Sequence, residues 1–494
     1  MTKLILILKY LNSYDIKGWV SGGTARDIFL DRSYQDIHIS VKADFSTIQK
    51  LFKKRVVDLN RVHNYVKIKY KDTLYLLHPL TKTTLKNTYV SRSYTNDLEE
   101  DAKSKDFTIN SLYYNPITNA WIDYFGGQED AKNKTIRFIG DWKERVLESP
   151  IRLLRGPVLK GILGKEWSLD YNTSVGISAY HLKLMSIHKN LLYSELTKLF
   201  TRVEKPSDVF SLLRQLKLLN TFFPELSICI GLDQSQKRDH LDLYQHIMYA
   251  LDSIPVTHNN VELVRLAAIL HDIAKPQTEV ISSKGRHFFN HEIVGKRMAA
   301  DILTRWGYPS NTINSVQILV EHHLFNITSG SSKTAIKKFI LRVSPDLIHD
   351  LLDLRIADIR GAGISKSTHA VENLRKKINT ELMNLSPNNF KLALTDEDIT
   401  TILKTSTETR LLPETTKACK HFLQNKIFIG RTHNKKTNLK KALKTLFKIP
   451  CPLEKYHLLK TWTSINTSSS DTFENGKLKC GVYCDFYCDK ILNK

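Results

Sequence analysis

The chain has 494 residues and a formal net charge of +23, with 73 Lys and Arg residues against 50 Asp and Glu residues. The length predicts about three or four domains, and no apolar run reaches the ~20 residues that a membrane helix needs. Residues 4–8 are also too short for the core of a signal peptide. We therefore expect a soluble cytoplasmic protein without a membrane partner. The excess of basic residues favours a polyanionic partner such as nucleic acid. Alternatively, it reflects nucleotide bias in the genome.

The first 125 residues alternate helical and strand patterns and predict a small α/β head with a mostly antiparallel or mixed sheet. A short amphipathic helix is predicted at residues 3–11 and another helix at residues 25–30. Residues 65–70 and 73–77 favour strands. Asp36 and His38 flank an isoleucine, and this alternation predicts a short strand from which both side chains face one ligand.

Three motifs carry the chemistry of this region. The first contains Gly22 and Gly23, which let a backbone approach a phosphate closely because no side chain blocks it. The second is Asp-Phe-Thr-Ile-Asn at residues 106–110, and the third is Glu-Ser-Pro-Ile-Arg-Leu-Leu-Arg at residues 148–155. Their order along the chain resembles the head of the bacterial-type tRNA nucleotidyltransferases, the family of CCA-adding enzymes and poly(A) polymerases.

The family signature is Gly-Gly, then Arg-Asp, then Asp-x-Asp, and the resemblance implies transfer of nucleotides from CTP or ATP onto the 3′ end of tRNA or another RNA. It implies that Asp36, His38 and Asp106 are catalytic and that Asp36 holds Mg²⁺. It also implies a nucleotide-binding set formed by Gly22, Gly23, Arg26, Asp27, Lys105, Asn110, Arg152 and Arg155. His38 stands where the second aspartate belongs, and Mg²⁺ prefers oxygen ligands, so we expect a weakened magnesium site and impaired transfer.

Other positions also depart from the family pattern. Lys105 follows Ser104 where two arginines are usual, and it lacks the planar fork that binds phosphate bidentately. Ser149 replaces the aspartate that helps to select the incoming base, and a Glu-Arg pair is replaced at residues 190–191. The choice between CCA and poly(A) addition therefore stays open.

Residues 227–365 place histidines and acids beside apolar helical runs. In chain order these are His246, His271, Asp272, His287, His291, His322, His323 and Asp358. Taken singly, each histidine is more often a core or surface residue than a ligand. Asp358, however, continues a buried apolar stripe, where a carboxylate is costly unless it is paired or binds a metal. His287 and His291 are four residues apart and share a face if their segment is helical.

This order resembles the HD phosphohydrolase domain of some CCA-adding enzymes. The resemblance implies that His246, His271, Asp272 and Asp358 hold a metal ion, and that His291 with His322 or His323 holds a second. It also implies that Lys275 contacts phosphate and acts in catalysis. Imidazole and carboxylate ligands favour a divalent transition metal such as Mn²⁺, Ni²⁺, Co²⁺ or Fe²⁺, which turns a bound water into a hydroxide near neutral pH.

The tail from residue 366 onward is polar and basic and is predicted to be helical. Lysines recur in it at near-helical spacing, and the RNA-binding candidates among them are Lys435, Lys436, Lys440, Lys441 and Lys444. The alternative is a solvated lysine face on a core helix. Near the C-terminus Cys480, Cys484 and Cys488 are spaced four residues apart, which favours either a metal site or free thiols.

The predicted domains are a nucleotidyltransferase head at 1–125, a helical neck and body at 126–226 that selects the nucleotide and binds RNA, an HD domain at 227–365 and a basic helical region at 366–494. Three functions remain open. The first is nucleotidyl transfer onto an RNA 3′ end. The second is an RNA-binding head without transfer activity joined to an HD phosphohydrolase, and the third is a non-catalytic subunit of an RNA–protein assembly.

Overall fold

The computed structural model describes residues 1–61, 64–86, 89–233, 241–283, 285–362 and 367–383, together with 394–395, 397–399, 401, 420, 423–424 and 436–447. The described residues form two compact units, one of Met1–Asp233 with Asp242–Glu262 and one of Leu241 with the residues from Leu263 onward. The predicted domain boundaries stay a prediction. No helix within the described residues is long and apolar enough to cross a membrane.

The first unit contains eleven strands and most of the short helices. The strands are β1 (Gly18–Ser21), β2 (His38–Val41), β3 (Val56–Asn60), β4 (Tyr65–Tyr70), β5 (Thr73–Pro79), β6 (Thr81–Lys86), β7 (Tyr89–Tyr94), β8 (Tyr113–Asn115), β9 (Ala120–Ile122), β10 (Thr135–Ile136) and β11 (Ser168–Leu169). The α-helices are α1 (Thr2–Asn12), α2 (Gly22–Phe29), α3 (Phe45–Phe52), α4 (Leu98–Lys103), α5 (Gly127–Lys132), α6 (Trp142–Glu148), α7 (Arg152–Leu163), α8 (Tyr171–Ala179), α9 (Lys189–Arg202), α10 (Pro206–Gln215), α11 (Leu218–Phe222), α12 (Pro224–Ser227) and α13 (Leu243–Asp252).

Seven strands of this unit form one sheet in the order β3-β4-β5-β2-β1-β8-β9. Strands β2 and β5 pair in parallel, and the other neighbours pair antiparallel. The predicted α/β head with a mixed sheet is therefore confirmed, and so is the mostly helical body that follows it. Strands β6 and β7 form a separate antiparallel hairpin, and β10 pairs with β11.

The core of the head explains why β1 and β2 lie where they do. Leu4, Ile7, Leu8 and Leu11 are buried at the spacing of one helical face, and α1 packs with them against the apolar residues of the sheet. Burying each such side chain contributes roughly 1.5–3 kcal/mol relative to leaving it exposed. This packing fixes the central strands, and with them the position of His38 at the start of β2.

Two local predictions in the head differ from the structure. The strand predicted around Asp36 begins only at His38, because the carbonyl of Asp36 accepts a hydrogen bond from the Thr24 hydroxyl at 2.9 Å and does not pair with a strand. The helix predicted at 25–30 begins at Gly22, which has φ +61° at the end of β1. The glycine pair is therefore the first turn of α2.

Helix α14 (Val261–Leu270) was predicted at these bounds and runs from the end of the first unit into the second. The second unit then contains α15 (His291–Arg305), α16 (Ser310–His322), α17 (Lys333–Val343), α18 (Ile348–Gly361), α19 (His369–Met383), α20 (Lys436–Phe447) and the hairpin of β12 (Glu279–Ser282) with β13 (Gly285–Phe288). The shared helical face predicted for His287 and His291 is wrong. His287 lies on β13, Asn290 takes a left-handed φ of +58°, and His291 starts α15.

Candidate functional sites in the head and the HD region

A chain of hydrogen bonds joins the glycine turn of the head to the Asp-Phe-Thr-Ile-Asn motif. Arg26 donates from Nε and Nη2 to Asp27 Oδ1 at 2.9 and 2.7 Å, and from Nη1 to Asn110 Oδ1 at 2.8 Å. Asn110 Nδ2 donates to Asp106 Oδ1 at 2.9 Å, and Asp106 Oδ2 accepts from Arg155 Nη1 at 2.8 Å. Five residues that the sequence placed in the catalytic and nucleotide-binding sets are thus held together directly.

Asp106 is the centre of this chain and stays ionised. Burial by itself would raise its pKa, but the positive charge of Arg155 and the hydrogen bond from Asn110 hold the pKa well below its ordinary value. On its other side Arg155 Nε lies 3.5 Å from Glu195 Oε2, and Lys198 Nζ lies 3.0 Å from the same oxygen. Two buried carboxylates therefore orient Arg155, whose side chain is 30% exposed.

Arg152 lies near this chain, but its donors are used within the fold. Its Nη1 donates to Glu148 Oε2 at 2.7 Å and to the carbonyl of Arg145 at 2.8 Å, and its Nη2 donates to the carbonyl of Ser104 at 2.7 Å. Arg145 Nη2 donates to Glu148 Oε1 at 2.6 Å. Burial lowers the pKa of Arg152 to about 10. These contacts join α6 to α7, and the predicted role of Arg152 in nucleotide binding stays a prediction.

His38 forms a pair with His78, which lies on the neighbouring strand β5. His38 Nδ1 and His78 Nε2 are 2.9 Å apart, and His78 Nδ1 is 2.8 Å from the carbonyl oxygen of Asn64. A carbonyl only accepts, so His78 donates from Nδ1, accepts at Nε2, and receives the Nδ1 proton of His38. Burial lowers the pKa of His38 to about 4 and that of His78 well below its ordinary value, so both are neutral at pH 7.

Asp36 is the carboxylate beside this pair, and it is already bound to a cation. Its Oδ2 lies 3.0 Å from Arg202 Nη2, and the two side chains are 48% and 36% exposed. At the two positions of the Asp-x-Asp signature the head therefore offers one arginine-bound carboxylate and one neutral imidazole. Such a donor set does not fit a site for two Mg²⁺ ions, which need several carboxylate oxygens.

Sequence reasoning missed three residues of the head. His78 lies one position beyond the strand predicted at 73–77, and only the pairing of β2 with β5 brings it to His38. Arg202 is distant along the chain and has no local signal. Asp101 is fully buried, accepts from Tyr113 Oη at 2.7 Å and lies 3.0 Å from Lys105 Nζ. An acid four residues before a lysine at the end of a helix could have indicated that pair.

The second unit brings three of the predicted metal ligands together. One ligand atom each from Asp272, His291 and His323 lies within 4.8 Å of the others, and all three side chains are buried. His291 Nδ1 donates to the carbonyl of Phe288 and His323 Nδ1 to the carbonyl of Val320, both at 2.7 Å. Both histidines therefore use Nδ1 to bond the backbone and direct Nε2 toward the cluster.

These Nε2 atoms face a carboxylate. Asp272 Oδ1 lies 3.2 Å from His291 Nε2 and 3.5 Å from His323 Nε2, and neither Nε2 has a hydrogen-bond partner although both are buried. Burial lowers the pKa of His323, so its imidazole is neutral. Lone pairs aimed at a carboxylate oxygen repel it unless a cation lies between them. The donor set therefore fits a divalent metal ion.

His271 and Asp358 complete this arrangement from α14 and α18. His271 Nδ1 donates to the carbonyl of Ala268 at 2.7 Å, and its Nε2 lies 3.2 Å from Asp272 Oδ2 and 3.7 Å from Asp358 Oδ1. Burial would lower the pKa of His271, but the charges of the two carboxylates raise it to about 10. The site therefore favours a positive charge at this point. Lys275 Nζ donates to Asp272 Oδ2 at 2.6 Å.

The remaining predicted residues divide between the two units. His246 is buried on α13, in the first unit, and its role as a ligand stays a prediction. Of the two adjacent histidines at the end of α16, His323 joins Asp272 and His291, and His322 is not part of that group. Lys440 and Lys441 lie on α20, where the bounds also include Lys436 and Lys444. Lys435 and the three C-terminal cysteines lie outside the described residues.

Comparison with known families defines the class of protein first. Residues 18–137 match the family described as the Poly A polymerase head domain, and residues 239–361 match the HD domain family. The chain therefore contains one region similar to a Poly A polymerase head domain and, after it, one region similar to an HD domain.

Individual relatives then show which proteins the chain is similar to. The CCA-adding enzyme of Enterococcus faecalis is 29% identical over 205 residues, which are 40% of this chain and 49% of that enzyme. The A-adding tRNA nucleotidyltransferase of Deinococcus radiodurans is 27% identical over 271 residues, 54% of this chain and 61% of that enzyme. The alignments thus span about half of the curated relatives.

A solved structure has the same fold. The Bacillus stearothermophilus CCA-adding enzyme in complex with CTP is 17% identical, with a TM-score of 0.60 over 90% of this chain and 96% of that chain. The chain is thus similar in sequence to CCA-adding and A-adding tRNA nucleotidyltransferases over about half of its length, and similar in fold to a CCA-adding enzyme.

Proposed function

We propose that this chain is a metal-dependent phosphohydrolase at its HD site. Its head binds nucleotides and RNA 3′ ends, but its ability to transfer nucleotides is impaired. The observation that carries the proposal is the pair of buried Nε2 atoms of His291 and His323, which have no hydrogen-bond partner and face Asp272 Oδ1.

Asp272, His291, His323, His271 and Asp358 would hold the metal ion. Their mixture of imidazole and carboxylate favours Mn²⁺, Fe²⁺, Co²⁺ or Ni²⁺ over Mg²⁺. When bound, such an ion supplies Lewis acidity to a phosphoester and lowers the pKa of a water molecule toward neutrality.

Lys275 supplies a positive charge for a phosphate oxygen in this mechanism. Its Nζ is held by Asp272 Oδ2 at 2.6 Å and lies 5.7 Å from the centre of the Phe288 ring. Asp358 Oδ2 accepts from Arg355 Nη1 at 2.6 Å, which fixes the second carboxylate. The two acids are thus oriented by cations, which leave Asp272 Oδ1 toward His291 and His323 and Asp358 Oδ1 toward His271. The phosphoester would bind beside Lys275 and the proposed metal ligands.

The relatives of this chain and its net charge indicate the class of substrate. The relative in Enterococcus faecalis is a CCA-adding enzyme by name, the relative in Deinococcus radiodurans is an A-adding tRNA nucleotidyltransferase by name, and the Bacillus stearothermophilus enzyme was solved in complex with CTP. A net charge of +23 suits RNA as a partner. We therefore place tRNA or another RNA 3′ end, with CTP and ATP, as the ligands of this chain, and a phosphate or cyclic phosphate at such an end as the group hydrolysed.

A second function, retained nucleotidyl transfer, is favoured by one observation. The chain of contacts from Arg26 through Asn110 and Asp106 to Arg155 is intact. Against it stands the donor set at Asp36 and His38, which does not fit two Mg²⁺ ions.

Hydrolysis is tested on the full chain loaded in turn with Mn²⁺, Co²⁺, Ni²⁺ and Fe²⁺. Release of inorganic phosphate, or opening of a 2′,3′-cyclic phosphate, is measured on nucleotides and short RNAs. We expect activity that a chelator abolishes and that His291→Ala removes. His287→Ala is the matched control, because His287 lies on β13 and stacks on Phe289 at 5.4 Å. No hydrolysis with any of these metals would disprove the proposal.

Transfer is tested separately with a tRNA lacking its terminal CCA, labelled CTP and ATP, and Mg²⁺ or Mn²⁺. We expect little extension by the natural chain and a gain with His38→Asp, which restores the carboxylate. Strong extension by the natural chain that Asp36→Ala abolishes would support the second function instead.

A further inference from the structure

Five acids that lie among the candidate catalytic and nucleotide-binding residues of the described structure are each paired with a cation. We call this group of paired side chains, together with His38, the head pocket. Its five ion pairs are Asp27–Arg26 at 2.7 Å, Asp36–Arg202 at 3.0 Å, Asp101–Lys105 at 3.0 Å, Asp106–Arg155 at 2.8 Å and Glu195–Lys198 at 3.0 Å. Five negative charges therefore meet five positive charges, and burial keeps His38 neutral by lowering its pKa.

This balance leaves no surplus negative charge for divalent cations. A site that binds two Mg²⁺ ions needs carboxylates whose charge is not already offset, because the ions must give up tightly held water to enter. In the head pocket the second signature position contributes an imidazole, and the first contributes a carboxylate bound to Arg202. The metal pair implied by the family therefore does not fit this chain.

The same side chains are arranged to receive an anion. Arg202 and Asp36 are partly exposed, and an exposed ion pair of this kind is worth only about 0–1 kcal/mol, so a stronger anion displaces the carboxylate easily. A polyphosphate is such an anion, because it presents several charges to a guanidinium and ammonium groups at once. Lys198 and Lys105 add positive potential at His38.

Gly22 adds a second feature suited to phosphate. It begins the eight-residue helix α2 with φ +61°, and a side chain built at this position would meet open space. The first N–H groups of a helix bind anions through hydrogen bonds and the helix dipole. Backbone and side-chain donors of the head are thus both directed to phosphate oxygens.

We propose that the head pocket binds the triphosphate of a nucleoside triphosphate directly, without a divalent cation, with Asp36 as a displaceable counter-ion of Arg202. This inference rests on the proposed nucleotide-binding role of the head and not on hydrolysis at the HD site. It predicts that Mg²⁺ weakens binding, since the ion offsets the charge of the triphosphate in solution, and that removing the Asp36 charge strengthens it.

The test is calorimetric binding of ATP and of inorganic tripolyphosphate to the full chain, in EDTA and in Mg²⁺. A chain carrying His323→Ala serves as the background that removes binding at the HD site. We expect ATP to bind in EDTA at least as tightly as in Mg²⁺, and tripolyphosphate to compete with it. Asp36→Asn should tighten binding in EDTA about threefold or more, and Arg202→Gln should weaken it about tenfold.

His38→Asp is the decisive variant, because it restores the second carboxylate. We expect it to weaken binding in EDTA and to make binding depend on Mg²⁺. Lys54→Gln is the matched control for loss of a positive charge, since Lys54 is exposed on the turn Lys53–Arg55, and it should change neither affinity.

Three outcomes would overturn the inference. These are ATP binding that Mg²⁺ strengthens about tenfold or more, weaker binding after Asp36→Asn, and no binding of ATP or tripolyphosphate in either buffer. Phosphate release by the metal-loaded HD site is measured in parallel on the natural chain, so that failure of this inference is distinguished from failure of the proposed hydrolase.

Discussion

Histidines occupy both candidate sites, but they have opposite roles in the head and in the HD region. In the HD region each Nδ1 donates to a backbone carbonyl, which leaves Nε2 of His291 and His323 facing a carboxylate. In the head the two imidazoles bond to each other, and His78 alone reaches a carbonyl. A histidine can thus serve as a metal ligand when one ring nitrogen donates to a backbone carbonyl and the other is not bonded to a second imidazole.

The acids differ in the same way. Asp272 is shared between Lys275 and several imidazoles, so a cation is needed at its second oxygen. In the head each carboxylate has its own cationic partner. One site is thus arranged for a positive ion and the other for a negative one.

The sharpest test of this contrast compares two adjacent histidines. His323→Ala should abolish metal binding and lower phosphate release by about 100-fold or more, because the ligand itself is removed. His322→Ala, one residue earlier on α16, should change both by less than about twofold. Bound metal per chain and phosphate release are measured for each variant. Equal losses in the two variants would show that the cluster of Asp272, His291 and His323 is not the metal site.

Much of the fold and of the HD site was open to prediction from sequence. Helix α1 was found because Leu4, Ile7, Leu8 and Leu11 repeat at a helical period, and α14 because its apolar run ends at the His-Asp pair. Strands β4 and β5 follow from β-branched and aromatic residues on either side of a tight turn. These signals are local, and each element is long enough to express them.

The rest depends on contacts between residues that are distant in sequence. The pairing of His38 with His78 requires the parallel register of β2 with β5, which no local pattern encodes. The Arg152 guanidinium donates to Glu148 and to backbone carbonyls. The sequence motif shows that an arginine is present but does not show what it binds. For the same reason the sequence could not choose between His322 and His323. Which of the two side chains reaches Asp272 depends on how the last turn of α16 is oriented.

The second prediction concerns the buried part of the head pocket. Asp106→Asn leaves the Arg155 cation without its carboxylate partner and should lower the free energy of unfolding by about 2 kcal/mol. Urea unfolding followed by circular dichroism measures the change. Asp58→Asn is the control, since Asp58 accepts only an exposed hydrogen bond from Tyr65 Oη at 2.9 Å, and it should shift stability by less than about 0.5 kcal/mol. Equal shifts would mean that Asp106 is not the centre of the network.

The third prediction uses acid to test whether the head histidines are neutral. Their pKa values are lowered in the folded chain, to about 4 for His38 against 6.5 for an ordinary histidine. Between about pH 6.5 and pH 4 the unfolded chain binds protons that the folded chain does not, so the free energy of unfolding decreases as the pH falls through this window. Since one pKa unit corresponds to about 1.4 kcal/mol, we expect His38 alone to account for a loss of about 3 kcal/mol across this window.

The readout is the slope of stability against pH and not stability itself. In a variant carrying both His38→Asn and His78→Asn, the slope between these pH values should be shallower than in the natural chain, whatever the absolute stability. An unchanged slope would show that the two imidazoles titrate normally. They would then carry charge near pH 6, and the charge balance of the head pocket would be wrong.

The prediction with the smallest expected effect tests whether the lysines of α20 bind RNA or form a solvated face. Lys441 is exposed on α20, and Lys440 Nζ lies 3.9 Å from Asp398 Oδ1. If Lys441 contacts RNA phosphate, Lys441→Ala should reduce the slope of log affinity against log salt by about 0.7, with only a few-fold loss of affinity. Arg202→Gln should instead weaken ATP binding about tenfold, because the guanidinium binds the triphosphate in place of Asp36. An unchanged salt slope after Lys441→Ala would assign the α20 lysines to a solvated face, leaving phosphate recognition to the head.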